Sequence, residues 1–126
     1  MSARRLIVAS IAAAAVVAPA TAQANVAVDF PMPRGVATHS VPYAVQHGNA
    51  HVMLRIRNDG TRVRLYVRKS TWTHANLLID TASYACTGEM GHSVCEGGYD
   101  LPNGRYRFIV KKLTRRATVV GLKIDG

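Results

Sequence analysis

The chain has 126 residues, with sixteen lysines and arginines against seven aspartates and glutamates, a formal charge of +9. That length accommodates one small domain with one core. Beyond the first residues no apolar stretch is long enough to cross a membrane, and the basic excess points towards anionic partners.

At the start, Arg4 and Arg5 precede an apolar run from Leu6 to Val17, broken only by Ser10, and Ala22-Gln23-Ala24 follows. A positive start, a short apolar run and an A-x-A site together predict a signal peptide over residues 1–24; its apolar run is too short to span a bilayer. No cysteine stands at the cut, so no lipid anchor is expected there. Residues 25–126 are then the mature domain, expected to be a monomer in the periplasm or outside the cell. Without Arg4 and Arg5 it keeps fourteen basic against seven acidic residues, a formal +7.

Within that domain, period-two alternation recurs and no useful helical periodicity appears. Val26–Phe30 and Val36–Val45 read as weak strands, interrupted by Pro31, Pro33 and Pro42. His51–Asn58 puts Val52, Leu54 and Ile56 on one face, and Thr61–Lys69 does the same with Val63, Leu65 and Val67. Asp59-Gly60 between them is a strong type I′ hairpin signal, because that turn needs positive φ at both central residues. The hairpin register would set Ile56 opposite Val63, Leu54 opposite Leu65 and Val52 opposite Val67.

Ala75–Asp80 and Ser83–Cys86 are short strand candidates beside YACTGEMGHSVC, which holds the two cysteines, Cys86 and Cys95. In an oxidising compartment this pair is expected to close a disulfide, with free thiols or a metal pair as the alternative. Such a loop contributes roughly 2.5–3 kcal/mol in the chain-entropy model. Gly104–Lys112 carries Tyr106, Phe108 and Val110 on one face and Arg105, Arg107 and Lys111 on the other, and Ala117–Ile124 closes the chain. About six to eight short strands predict an all-β fold, a small antiparallel, jelly-roll-like β-sandwich with one disulfide.

On the other face of the expected hairpin, Arg57 would stand opposite Arg62, Arg55 opposite Arg64, Met53 opposite Tyr66 and His51 opposite Arg68. Like charges directly opposed on a sheet are destabilising, so the pattern calls for a reason. One reason is protection against edge-to-edge aggregation, with long stems covering apolar surface. The other is a binding face of Arg55, Arg57, Arg62, Arg64 and Arg68, with Tyr66 as a stacking platform for phosphate-, carboxylate- or sulfate-bearing polymers.

Catalytic and metal patterns are weaker. Gly91-His92-Ser93-Val94-Cys95 resembles a nucleophile elbow without its last glycine, inside the expected disulfide loop. Glu89 and Glu96 lie in or beside the same loop and imply no cleft. His47 and His51 have a zinc spacing suited to a helix, but Gly48 and Asn49 make their connection a loop. Trp72 is either a core plug or a ligand platform. No catalytic residue, metal or cofactor is expected.

The order RLYVRKS (Arg64–Ser70), YAC (Tyr84–Cys86), Cys95, LPNGRYRFIV (Leu101–Val110) and ATVVGLKI (Ala117–Ile124) resembles that of bacterial pre-peptidase C-terminal domains, over about Val52 to Ile124. Those are small β-sandwiches usually appended to secreted proteases and other hydrolases. The resemblance implies a non-catalytic module that aids secretion or binds insoluble polymers such as collagen or chitin. Arg62 and Arg64 stand where members commonly carry an acidic residue. Only Asp29 is available near the start, where some relatives bind calcium. The expected function is adhesion to an anionic or insoluble extracellular polysaccharide or other polymer. The alternatives are an inhibitor or toxin-like protein docking on an acidic protein surface and, more weakly, a small hydrolase.

Overall fold

The alternating segments form nine strands among the described residues: β1 (Val26–Met32), β2 (Ala37–Val45), β3 (Asn49–Ile56), β4 (Val63–Lys69), β5 (Asn76–Asp80), β6 (Thr87–Glu89), β7 (His92–Asp100), β8 (Gly104–Lys112) and β9 (Thr118–Asp125). The structure, a computed structural model, describes residues 25–57, 60–83, 86–89 and 91–126. The expected signal peptide, Asp59 of the expected turn and Tyr84 of the YAC motif lie outside the described residues.

The strands build a five-stranded sheet in the order β1-β9-β3-β7-β6 and a four-stranded sheet in the order β2-β8-β4-β5. Every pairing is antiparallel, and most successive strands alternate between the sheets, as in a jelly roll. Val52, Leu54, Ile56, Val63, Leu65, Val67, Phe108 and Val110 are all fully buried where the inner faces meet. The Tyr43 and Phe108 rings pack edge to face there, 5.9 Å apart. The expected all-β sandwich and the Cys86–Cys95 disulfide are both present.

The expected β3–β4 hairpin is not. β3 pairs with β7 and β9, whereas β4 pairs with β5 and β8 in the other sheet. The two strands therefore lie on opposite sides of the sandwich. The Arg57 amide donates to the Val119 carbonyl, and the Leu113 amide donates to that of Arg62. Both strands do point their apolar residues inwards, but from opposite sides of the core.

Two further expectations change. β1 and β2 run straight through Pro31 and Pro42, because each is an edge strand, where a missing amide donor is tolerated. The stretch from His92 to Asp100, which the sequence assigns to no strand and whose start falls in the expected disulfide loop, is a nine-residue strand inside the five-stranded sheet. Gly97 and Gly98 lower its strand propensity. The Tyr99 ring folds over Gly97, and its hydroxyl donates across the core to the Leu78 carbonyl at 3.1 Å.

On β8 the inward series continues past Val110 to Lys112, which is fully buried. Its ammonium donates to the carbonyls of Gly35 and Thr114, replacing lost water contacts. The lysine thereby ties the β1–β2 turn to the β8–β9 turn.

Candidate functional site

Because β3 and β4 lie in different sheets, the arginines expected on one surface divide between the two outer faces. Arg55 and Arg57 belong to the five-stranded sheet, while Arg62, Arg64, Tyr66 and Arg68 belong to the four-stranded one. The expected opposition of Arg55 to Arg64 and of Arg57 to Arg62 does not occur.

β8 supplies the neighbours instead. Across β4 and β8, Arg64 stands opposite Lys111, Tyr66 opposite Ile109 and Arg68 opposite Arg107. Like charges thus oppose each other twice, against a different strand from the one expected. On the far side of β8, Ser40 pairs with Ile109 and Pro42 with Arg107, and on the far side of β4, Leu77 pairs with Tyr66. The outer face consequently has an apolar row, Leu77-Tyr66-Ile109, between two basic rows. Lys111 and Arg107 are four residues apart on β8, which separates those rows by roughly 13 Å.

One basic row is partly neutralised. Asp80, opposite Arg64, accepts from Arg64 Nε at 2.9 Å and from Arg62 at 3.2 Å. Its carboxyl is lowered to about 2 by the Arg62 hydrogen bond first, then by the Ala82 amide and Arg64. Arg64 is held in its charged form, its pKa raised by contact with Tyr66 and then by Asp80. In the other row Arg68 and Arg107, with Arg105 two residues further along β8, have no carboxylate partner among the described residues, and Arg107 donates to Ser40 Oγ at 2.9 Å. Pro42, Arg68, Ser70, Arg105, Tyr106 and Arg107 line an open depression of about 290 Å³ there. Sequence reading had placed Arg105, Arg107 and Lys111 outwards without joining them to the site. Their alternation was the available signal; the adjacency of β8 to β4 was not.

Trp72 packs against the core margin, half-buried, edge-on to Tyr106 with the ring centres 5.5 Å apart. Lys69 sits 5.3 Å above the same Tyr106 ring. The elbow-like segment at His92–Cys95 is the start of β7, not a strand-to-helix turn, and Cys95 is in the disulfide. His51 lies on the outer face of β3, 3.4 Å from Glu96 and 3.8 Å from Asp125. No group of three potential metal ligands occurs among the described residues, and no helix there is long and apolar enough to cross a membrane.

No protein-family model and no curated relative matches the sequence. Solved structures do match. The pre-peptidase C-terminal domain of a Bacillus anthracis collagenase is 11% identical, with a TM-score of 0.50 over 81% of this chain and 90% of that one. A periplasmic inhibitor of g-type lysozyme from Aeromonas hydrophila is also 11% identical, with a TM-score of 0.51 over 82% of this chain and 87% of that one. At that identity the likeness is one of fold, and the expected fold of a pre-peptidase C-terminal domain is the one found.

Proposed function

We propose that this protein is a secreted or periplasmic, non-catalytic binding module, released from a signal peptide over residues 1–24. It adheres to an anionic extracellular polysaccharide through the outer face of the four-stranded sheet. The observation that carries this reading is the row of Arg68 and Arg107, with Arg105 two residues further along β8, without carboxylate partners among the described residues, beside the apolar row of Tyr66, Ile109 and Leu77. Guanidinium groups match carboxylates and sulfates in fork geometry, and the apolar row suits the C–H face of a sugar ring. Opposing Arg68 to Arg107 destabilises the sheet, so a role outside stability accounts for the pair better than packing does.

The experiment is elution from heparin and from an insoluble polyuronate as a function of salt. Replacing Arg68 and Arg107 by serine should weaken binding and flatten the salt slope by up to about one unit per residue. An unchanged slope and affinity in that double variant reject the reading. The fold likeness to a lysozyme inhibitor supports one alternative, an inhibitor docking on an acidic protein surface. Stoichiometric inhibition of a g-type lysozyme, without retention on any polyanion, would favour it.

A further inference from the structure

The opposite face has a different character. On the five-stranded sheet the outward Arg55, Arg57 and Lys123 are offset by Asp29, Glu96, Asp100 and Asp125, so a long polyanion gains little there. One transverse row stands out: Asp29 pairs with Gly121, Gly121 with Arg55, and Arg55 with Val94. Two strand spacings separate Asp29 from Arg55, roughly 10 Å between backbones, and the residue between them has no side chain.

Gly121 is not among the positive-φ glycines, so its backbone does not demand glycine. Its surroundings do. A Cβ at that position would stand 2.6 Å from Asp29 Oδ1 and 3.7 Å from Arg55 Cβ. The carboxylate is therefore folded over Gly121 towards Arg55. Arg57 follows on the same face, tied by its amide to Val119. Asp29, Arg55, Arg57, His92, Val119 and Gly121 line an open hollow of about 350 Å³. Asp29 nevertheless forms no ion pair with either guanidinium, and these three side chains make no ion pair elsewhere among the described residues. Opposite charges share one hollow but stay apart.

We propose that this hollow binds a single carboxylated sugar residue, with its carboxylate on Arg55 and Arg57 and a ring hydroxyl donating to Asp29. A guanidinium pair favours a planar carboxylate over a neutral sugar. An ionised Asp29 only accepts hydrogen bonds, so it selects for a hydroxyl and against a second anionic group. An α-amino acid would offer Asp29 an ammonium in place of a hydroxyl, and glycine in the titration separates the two. The size lies at the lower end of small-ligand sites, about 300–1,000 Å³, which fits one residue better than a chain. The proposal is independent of the adhesive face, since it uses the other sheet.

The test is an NMR titration of the isotope-labelled protein with glucuronate, glucose, acetate and glycine. Glucuronate should shift the amides of Asp29, Arg55, Arg57, Val119 and Gly121, saturating in roughly the millimolar range. Glucose and acetate should bind about tenfold more weakly or worse. Asp29→Asn should weaken glucuronate by about tenfold while leaving acetate unchanged, and Arg57→Gln should weaken both. Both positions are exposed, so an unchanged melting temperature will confirm that the variants fold. The proposal is overturned if acetate matches glucuronate, if glycine binds best, if Asp29→Asn has no effect, or if glucuronate shifts only Arg105 and Arg107.

Discussion

Asp80 serves stability by neutralising part of a basic row. It is buried and accepts from Arg62, Arg64 and the Ala82 amide, and its carboxyl is lowered from 3.8 to about 2. The unfolded chain therefore takes up this proton first as pH falls. The stability that Asp80 confers is fully present above its unfolded value and is lost as pH drops from 3.8 towards about 2. In Asp80→Asn the decline of melting temperature over that window should be shallower than in the parent. At neutral pH the same variant frees Arg62 and Arg64, so heparin retention should increase; unchanged retention would mean that those two guanidinium groups do not face the ligand. Lys112 has a purely architectural part. Lys112→Met keeps the buried stem but leaves the Gly35 and Thr114 carbonyls without their donor, so chemical denaturation should show a loss of about 1–3 kcal/mol.

Among the elements, β7 deserves comparison with β8, because each is an inner strand of its sheet and each carries a different kind of restraint. Cys95 on β7 is buried and bonded to Cys86, nine residues earlier, next to the pairing of Thr87 with Val94. The crosslink thus holds the β6–β7 edge of the five-stranded sheet. Replacing both cysteines by alanine should lower stability by up to about 3 kcal/mol. Binding to heparin should not change, since the proposed adhesive face lies on the other sheet. A variant that binds less while its melting temperature is unaffected would contradict this separation. On β8 the restraint is electrostatic: Arg107 faces Arg68 across β4, and Lys111 faces Arg64. Asp80 offsets only the second pair.

For the whole molecule, the distribution of charge matters more than its sum. The four-stranded sheet exposes Arg64, Arg68, Arg105, Arg107 and Lys111 against a single Asp80, while on the five-stranded sheet Asp29, Glu96, Asp100 and Asp125 offset Arg55, Arg57 and Lys123. The proposed anionic polymer should therefore approach one side, with strongly salt-dependent association. Serine at both Arg55 and Arg57 should leave the affinity for dextran sulfate, which carries no uronate, and its salt slope unchanged, whereas serine at Arg68 and Arg107 should lower both, although each pair removes the same charge. Equal losses in the two double variants would show that only net charge matters and that neither face is specific.

The sequence by itself determined which way each alternating strand turns. Val52, Leu54 and Ile56, like Val63, Leu65 and Val67, had to be buried because exposing either row would leave apolar surface in water. It likewise brought the cysteines together across a short loop and kept Arg105, Arg107 and Lys111 outside. Neighbours were a different matter. A period of two says which face is inward but nothing about what lies alongside, and two strands opposed across a sandwich core satisfy it as well as two strands in a hairpin. Asp59-Gly60 therefore looked like a hairpin turn, although β3 and β4 lie in different sheets. Only the tertiary structure decided that Arg68 meets Arg107 instead of His51, that Asp80 holds Arg62 and Arg64, and that Gly121 opens a gap between Asp29 and Arg55. Those contacts join strands far apart in the chain, and their geometry depends on closing the whole core at once.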